Sequence, residues 1–146
     1  MALIHLIYVS TAREPDNTSI LDEILAVSAR NNAPQGITGM LLYAGGTFMQ
    51  VLEGEEAAVD ATHHRIEGDP RHTGIIVLER APIAERSFAR WSMGFRRLGT
   101  DERAADPAYA PFFADGFDAE RIGAKPGTAL AMLRHFAIDQ RELRAR

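Results

Sequence analysis

The chain has 146 residues, of which 46% are hydrophobic and 25% are charged, and its formal net charge is −4. This length and composition are those of one globular domain with a core of ordinary size and a short appendage. The acidic balance argues against a nucleic-acid surface, because contacts with phosphates require clustered lysine and arginine. Four arginines are close in sequence, but acidic residues flank them and we interpret them as a solvated face: Arg86, Arg90, Arg96 and Arg97.

Missing residue types exclude several further classes of function. The sequence contains no cysteine, so disulfides, thiolate zinc sites and thiol catalysis are excluded. Lys125 is the only lysine, which leaves little basis for Schiff-base chemistry. The apolar runs are too short to span a bilayer, and the N-terminus has no cationic lead or cleavage site of a signal peptide. We therefore expect a cytoplasmic protein without membrane contact.

Strands and helices can be predicted in chain order from apolar periodicity. An apolar strand comes first, and a helix with an apolar stripe follows, capped by Thr18 or Ser19. Gly45 and Gly46 join two apolar runs and predict a hairpin, because the favoured two-residue turns need positive φ. The predicted elements are a strand at 2–9, a helix at 19–31, strands at 37–44 and 47–53, a helix at 55–67 and strands at 73–79 and 87–95.

The order βαββαβ with a fifth strand predicts an α+β fold of the ferredoxin-like type. Both helices should pack on one face of the sheet and leave the other face open. We expect a domain at 1–98 and a helical extension at 99–146, with helices that begin near Asp106-Pro107 and at Pro126. The last helix is amphipathic, so it either covers the open sheet face or forms a contact between subunits of an oligomer.

Polar residues occupy several positions where the patterns require apolar ones. On the first helix, Ile24, Ser28 and Asn32 follow at a spacing of four and project from one side. Gln50 alternates with two apolar residues on a strand, and Tyr8 lies on the buried side of a central strand. A buried amide without a partner costs about 1–3 kcal/mol. These groups therefore face either a ligand in a cleft or one another in a closed polar network.

One of these features has a simpler explanation, and another pair of residues extends the group. Instead of facing a ligand, Asn31 and Asn32 could simply form the C-cap of the helix, a position that asparagine favours. Trp91 and Met93 alternate on the last predicted strand, which would bring indole and thioether to the region of Gln50.

No metal site or hydrolytic site is indicated by the histidines and carboxylates. His63 and His64 are adjacent on a helix and point about 100° apart, so they cannot share a metal ion. With His72 they lack a ligand spacing. No catalytic triad, carboxylate pair or glycine-rich phosphate loop stands out.

The chain resembles the BLUF domains, which sense blue light by means of a flavin, over about residues 2–98. The resemblance rests on segments that agree in order and spacing: LIYVS around Tyr8, SARNNAPQGITGMLLY from Ser28, FMQVLEG around Gln50, GDPRH at 68–72, and RSFARWSMGF with Trp91 and Met93. Such domains hold FAD or FMN non-covalently between the two helices and the sheet. The resemblance thus implies a flavin cofactor, FAD or FMN, and a photoreceptor rather than an enzyme.

By matching position, the resemblance also implies roles for individual residues. Tyr8 would donate an electron and a proton, Gln50 would link Tyr8 to the ring, and Asn32 would bond the ring's polar edge. Ile24 would pack on the ring. Trp91 and Met93 match two positions whose orientation is thought to report the light state. The other implied flavin contacts are Ser28, Asn31, Arg65, Asp69, Arg71, His72 and Met93.

Two alternatives are kept open. A hydrolase of the acylphosphatase type would use Arg13 and Asn17 in the loop after the first strand. A domain of the same fold could also bind a ligand or a protein without photochemistry. If the chain is a photoreceptor, we expect its signal to reach a separate protein partner or to change self-association, through residues 99–146.

Overall fold

Five strands form one sheet, and the helices lie on its two faces. The computed structural model describes residues 2–14, 18–99, 107, 109–113, 116–125 and 127–145. The elements are β1 (Leu3–Ala12), α1 (Thr18–Asn32), β2 (Thr38–Ala44), β3 (Thr47–Glu55), α2 (Glu56–Glu67), β4 (His72–Pro82), β5 (Gly94–Leu98), α3 (Ala119–Ala124) and α4 (Thr128–Ala145). Short 3-10 turns lie at Ala33–Gln35 and Ala110–Phe112.

The strand order is β4-β1-β3-β2-β5, which is the ferredoxin-like order with β5 added beside β2. The pairs β1–β3, β1–β4 and β2–β3 are antiparallel, whereas β2 and β5 run parallel. Gly45 and Gly46, with φ of 55° and 84°, close the hairpin between β2 and β3 in the left-handed region. The predicted fold class and hairpin are therefore confirmed.

The two faces of the sheet carry separate apolar cores. On one face, Ile24 and Leu25 of α1 and Val59 and Ile66 of α2 pack over the central strands. On the other face, the core includes buried residues of α3 and α4: Ile122, Ala129, Met132, Leu133 and Phe136. Of the two roles considered for the last helix, the structure shows the first: α3 and α4 cover the sheet face that the predicted helices α1 and α2 leave open. As predicted, α1 and α2 share the other face.

The predicted fifth strand is misplaced. Residues 87–95 were expected to be extended, but β5 begins at Gly94 and ends at Leu98. The backbone N–H groups of Ser87 and Phe88 donate to a side chain, the Glu53 carboxylate, and the N–H of Trp91 donates to the Phe88 carbonyl in a turn. These donors are therefore not available for a strand ladder, although the apolar residues alternate as they do in a strand. We call residues 83–93 the connecting segment.

The two predicted helix starts in the extension, Asp106 and Pro126, lie outside the described residues. The described helices begin at Ala119 and Thr128, and Asp118 caps the first of them because its carboxylate accepts from the Arg121 N–H at 3.1 Å. In the described part of the chain, none of the helices combines the length and apolar character needed to cross a membrane.

Candidate functional site

A cavity of about 470 Å³ lies between α1, α2 and the sheet. Its volume is in the range of small-molecule sites, roughly 300–1,000 Å³. Every flavin contact that the resemblance implies, except Met93, lies in its wall. The sheet supplies the floor, α1 supplies one wall, and the end of α2 with the turn before β4 supplies the other.

Tyr8 and Gln50 form the centre of the floor. They are direct partners in the β1–β3 ladder, so their side chains stand next to each other on one face. The Tyr8 hydroxyl donates a hydrogen bond to Gln50 Oε1, and Gln50 Nε2 donates to Met93 Sδ at 3.2 Å. Both side chains are almost fully buried. The amide whose partners the sequence could not identify is thus held between a hydroxyl and a thioether.

The environment of Tyr8 keeps its hydroxyl protonated. Burial, with a smaller contribution from the negative charge of Asp69, raises the pKa of Tyr8 above its ordinary value. Near neutral pH the phenol therefore remains a hydrogen-bond donor to Gln50.

The α1 wall consists of the residues predicted from the four-residue spacing. Ile24, Ser28, Asn31 and Asn32 all line the cavity. Asn32 is buried, and its Nδ2 donates to the Ser92 carbonyl at 3.0 Å. The C-cap explanation is wrong for Asn32, because its φ and ψ of −76° and −42° are helical and the left-handed residue that ends this stretch is Gly36.

The opposite wall carries charged groups. Arg65, Asp69, Arg71 and His72 line the cavity where α2 ends and β4 begins. The Arg71 guanidinium donates to both Asp69 oxygens, with its shortest contact at 2.7 Å, and the Arg71 N–H also donates to Asp69. His72 Nδ1 lies 2.9 Å from Ser10 Oγ. Burial lowers the pKa of His72, an effect that Asp69 partly opposes, so the site favours the neutral imidazole.

The Asp69–Arg71 pair gives a prediction for stability. Burial alone would raise the pKa of Asp69, but the hydrogen bonds and charge of Arg71 outweigh it and lower this pKa. The carboxylate therefore stabilises the fold above its unfolded pKa of about 3.9, and this contribution is lost as the pH falls through the lower folded value. Asp69→Asn should reduce the free energy of unfolding by roughly 1 kcal/mol at pH 7.

Urea unfolding at pH 7 and at pH 3 would measure this. The difference between Asp69→Asn and the unchanged chain should shrink at the lower pH. Asp60→Asn is the matched control, because Asp60 also pairs with an arginine, Arg80, but on the exposed surface. A difference that is as large at pH 3 as at pH 7 would contradict the assignment.

Trp91 and Met93 do not lie in one region. Met93 reaches the Gln50 amide, whereas Trp91 belongs to the core on the opposite face of the sheet, stacked on Phe88 with ring centroids 6.3 Å apart. The expectation of a shared region assumed that residues 91 and 93 alternate on a strand, and here they precede β5 in the connecting segment.

Several cavity residues were not predicted as ligand contacts, although the sequence places some of them on core-facing sides of their elements. They are Glu23, Val27, Leu41, Phe48, Thr62, Ile66 and Pro70. Val27 could have been found, because it follows Ile24 by three residues and shares its helix face. Phe48 was placed on the same strand face as Gln50 by alternation, so its position in the cavity follows from that pattern. Leu41 follows only from the strand register, in which it is the β2 partner of Gln50.

The hydrolase alternative gains little from the described residues. Arg13 lines a second, polar cavity that shares Asp69, Pro70 and His72 with the first, and Asn17 lies outside the described residues. In the described ranges, no three histidine or carboxylate side chains are grouped so that they could hold a metal ion.

Comparison with known proteins shows several relatives. Residues 3–94 match the family described as sensors of blue-light using FAD. The chain is 40% identical over 89 residues to photoactivated adenylate cyclase subunit beta of Euglena longa, and 34% identical over 98 residues to the blue light- and temperature-regulated antirepressor BluF of Escherichia coli strain K12. The matches cover 60% and 67% of this chain, but only 10% and 24% of those two proteins.

Solved structures include similar chains of similar length. The dark-state structure of BlrB, a BLUF protein, is 32% identical with a TM-score of 0.72, and the match covers 92% of this chain and 93% of that one. The photo-activated state of BlsA is 35% identical with a TM-score of 0.65, over 69% of this chain and 74% of that one.

Proposed function

Because the chain belongs to the family of blue-light sensors that use FAD, we propose that it is a photoreceptor that binds a flavin non-covalently in the cavity between α1, α2 and the sheet. The observation that carries the proposal is the hydrogen-bonded series from Tyr8 through Gln50 to Met93 at the cavity floor. FAD is the cofactor that we assign, and FMN carries the same ring. We assign residues 1–98 to flavin binding and photochemistry, in a cytoplasmic protein.

The donor set of the cavity fits a flavin. Ile24, Val27 and Phe48 offer apolar surface for a flat ring, and the amides of Asn31 and Asn32 offer donors and acceptors for its polar edge. At the other end, Arg65 and Arg71 offer guanidinium groups that suit the phosphates of the cofactor, and Arg71 would share its donors between a phosphate and Asp69.

The photochemistry uses a pair that the fold has already placed in contact. When bound and excited by blue light, a flavin supplies a strong oxidant. Tyr8 would give one electron to that oxidant, and its hydroxyl proton would pass along the hydrogen bond to Gln50 Oε1. Burial raises the pKa of Tyr8, so the proton stays on the hydroxyl in the dark.

Gln50 records the event by a change in its hydrogen bonds. An amide exchanges donor for acceptor by turning about its last torsion or by tautomerising. In the described orientation, Nε2 faces the Met93 sulfur, a weak acceptor that cannot donate. Turning the amide would place Oε1 against that sulfur and lose the contact. Met93 therefore favours the described orientation, which we assign to the dark state, and a changed bond at the ring would shift the absorption band to the red.

An absorption spectrum of the purified protein, recorded in the dark and under blue light, tests the proposal. A flavin spectrum that shifts reversibly to the red without bleaching is the expected result. A protein that stays colourless after flavin is supplied during refolding would contradict flavin binding. A flavin band that does not move would leave a flavin-binding domain without this photocycle.

The signal is proposed to leave through residues 99–146 towards a protein partner or a second copy of the chain. We expect blue light to change amide hydrogen exchange in β5 and α4, because α4 packs over the sheet face that also holds Trp91. Exchange mass spectrometry in light and darkness would measure this, with size-exclusion chromatography to follow self-association. Equal exchange in light and darkness throughout 94–145, in a protein that shows the red shift, would contradict this route.

A further inference from the structure

The connecting segment, residues 83–93, touches both faces of the sheet. On the cavity side, it supplies the Met93 sulfur to Gln50 and the Ser92 carbonyl to Asn32. On the other side, Phe88 and Trp91 enter the core that the C-terminal helices cover. This segment has no regular secondary structure, so some other contact must fix its position.

Backbone bonds hold two of its residues, since the Ile83 N–H donates to the Leu3 carbonyl at 3.0 Å and the Trp91 carbonyl accepts from the Gly39 N–H at 3.1 Å. Between them, the Glu53 carboxylate holds the middle of the segment. Glu53 lies on β3 and its exposed fraction is 0%. Its Oε2 accepts from the Ser87 N–H at 2.6 Å, and its Oε1 accepts from the Phe88 N–H at 3.0 Å and from Thr38 Oγ at 2.9 Å. All three partners are donors, so both oxygens act as acceptors, which is the arrangement that a buried carboxylate requires.

A second set of bonds extends the attachment. The Arg86 guanidinium donates to Thr38 Oγ at 2.8 Å and to the Glu53 carbonyl at 3.0 Å. From α4, Arg134 Nη2 donates to Ser87 Oγ at 2.8 Å. Ser87 thus has two contacts: its backbone N–H donates to Glu53, and its side chain accepts from the last helix.

We propose that Glu53 is a positioning residue: its carboxylate holds the connecting segment so that the contacts at Gln50 and Asn32 and the contact of Ser87 with Arg134 are fixed together. This inference rests on the proposed function for its effect on the photocycle, but the attachment itself does not require a flavin. Gln50 and Glu53 are three residues apart on β3, so their side chains lie on opposite faces of one strand. A displacement of the segment would therefore reach both faces at once.

Glu53→Gln in the full chain is the direct test. The variant keeps the shape but places an amide NH₂ opposite backbone N–H donors, so one bond to the segment is lost. Glu55→Gln is the matched control, because Glu55 is an exposed residue at the end of the same strand. Amide exchange at Ser87 and Phe88 should be at least about tenfold faster in Glu53→Gln than in Glu55→Gln.

The photocycle gives the second readout. The rate of dark recovery after blue light should change at least about threefold in Glu53→Gln, and this change should disappear when Met93→Leu is already present, as expected of groups that act through each other. A role in overall stability alone would leave the same change in the Met93→Leu background and would overturn the proposal.

Each failure is distinguishable. If the unchanged chain binds no flavin or shows no red shift, the proposed function fails, and amide exchange at Ser87 and Phe88 still decides whether Glu53 holds the segment. Amide exchange in Glu53→Gln equal to that in Glu55→Gln would overturn the attachment.

If Glu53→Gln does not fold, Thr38→Val takes its place, since it keeps the Glu53 carboxylate and removes one of its hydrogen-bond donors. It should then change exchange and recovery in the same direction by a smaller factor, and no change in either would overturn the proposal.

Discussion

Tyr8→Phe should abolish the reversible red shift and leave the flavin bound. The variant keeps the ring on the cavity floor but removes the hydroxyl that donates to Gln50 Oε1. Flavin affinity should fall by less than about tenfold, since one hydrogen bond contributes about 1 kcal/mol net. Flavin content per chain and light-minus-dark absorption would measure the two effects separately.

Tyr43→Phe is the matched control for this variant. Tyr43 is also buried, on β2, but it does not line the cavity. It should keep the full red shift. A normal red shift in Tyr8→Phe would show that another group supplies the electron and the proton.

Gln50→Leu should have an equally large effect for a different reason. Leucine fills a similar volume, but it can neither accept from the Tyr8 hydroxyl nor donate to the Met93 sulfur. The flavin should remain bound and no stable red-shifted state should form. The buried Tyr8 hydroxyl would lose its partner, so the free energy of unfolding should also fall by about 1–3 kcal/mol. Absorption under blue light and urea unfolding would measure both.

Gln35→Leu provides the comparison, because Gln35 is exposed in the turn after α1. It should leave the absorption change and the free energy of unfolding close to those of the unchanged chain. A stable red shift in Gln50→Leu would show that the shift does not require the Gln50 amide, which would contradict the proposed mechanism.

Most of the fold could be predicted because its signals are local. Alternation identified the strands of the sheet centre, the Gly45–Gly46 pair identified the hairpin, and apolar spacing identified α1. The cavity wall on α1 could be predicted for the same reason, since a spacing of four places Ile24, Ser28 and Asn32 together. The floor followed from polar residues in apolar positions.

The connecting segment could not be predicted in this way. Its alternating apolar residues have the pattern of a strand, but a side chain more than 30 residues away along the chain, Glu53, takes the N–H groups that a ladder would use. Nothing local indicates such a bond. The same reason applies to Arg86, which we interpreted as solvated and which instead donates to Thr38 and to the Glu53 carbonyl.

Gln50 and Glu53 are separated by an odd number of positions on β3, and this limits how the domain can be fused to other proteins. One residue inserted or deleted between them would turn both side chains to the same face, because successive residues of a strand point to opposite sides. The Gln50 amide and the Glu53 carboxylate would then lie on the same face of the sheet, and one of them would lose its hydrogen-bond partners. A chimaera should therefore take the strand from Phe48 to Glu53 as one uninterrupted piece, together with the segment it holds, while loops elsewhere can be exchanged more freely.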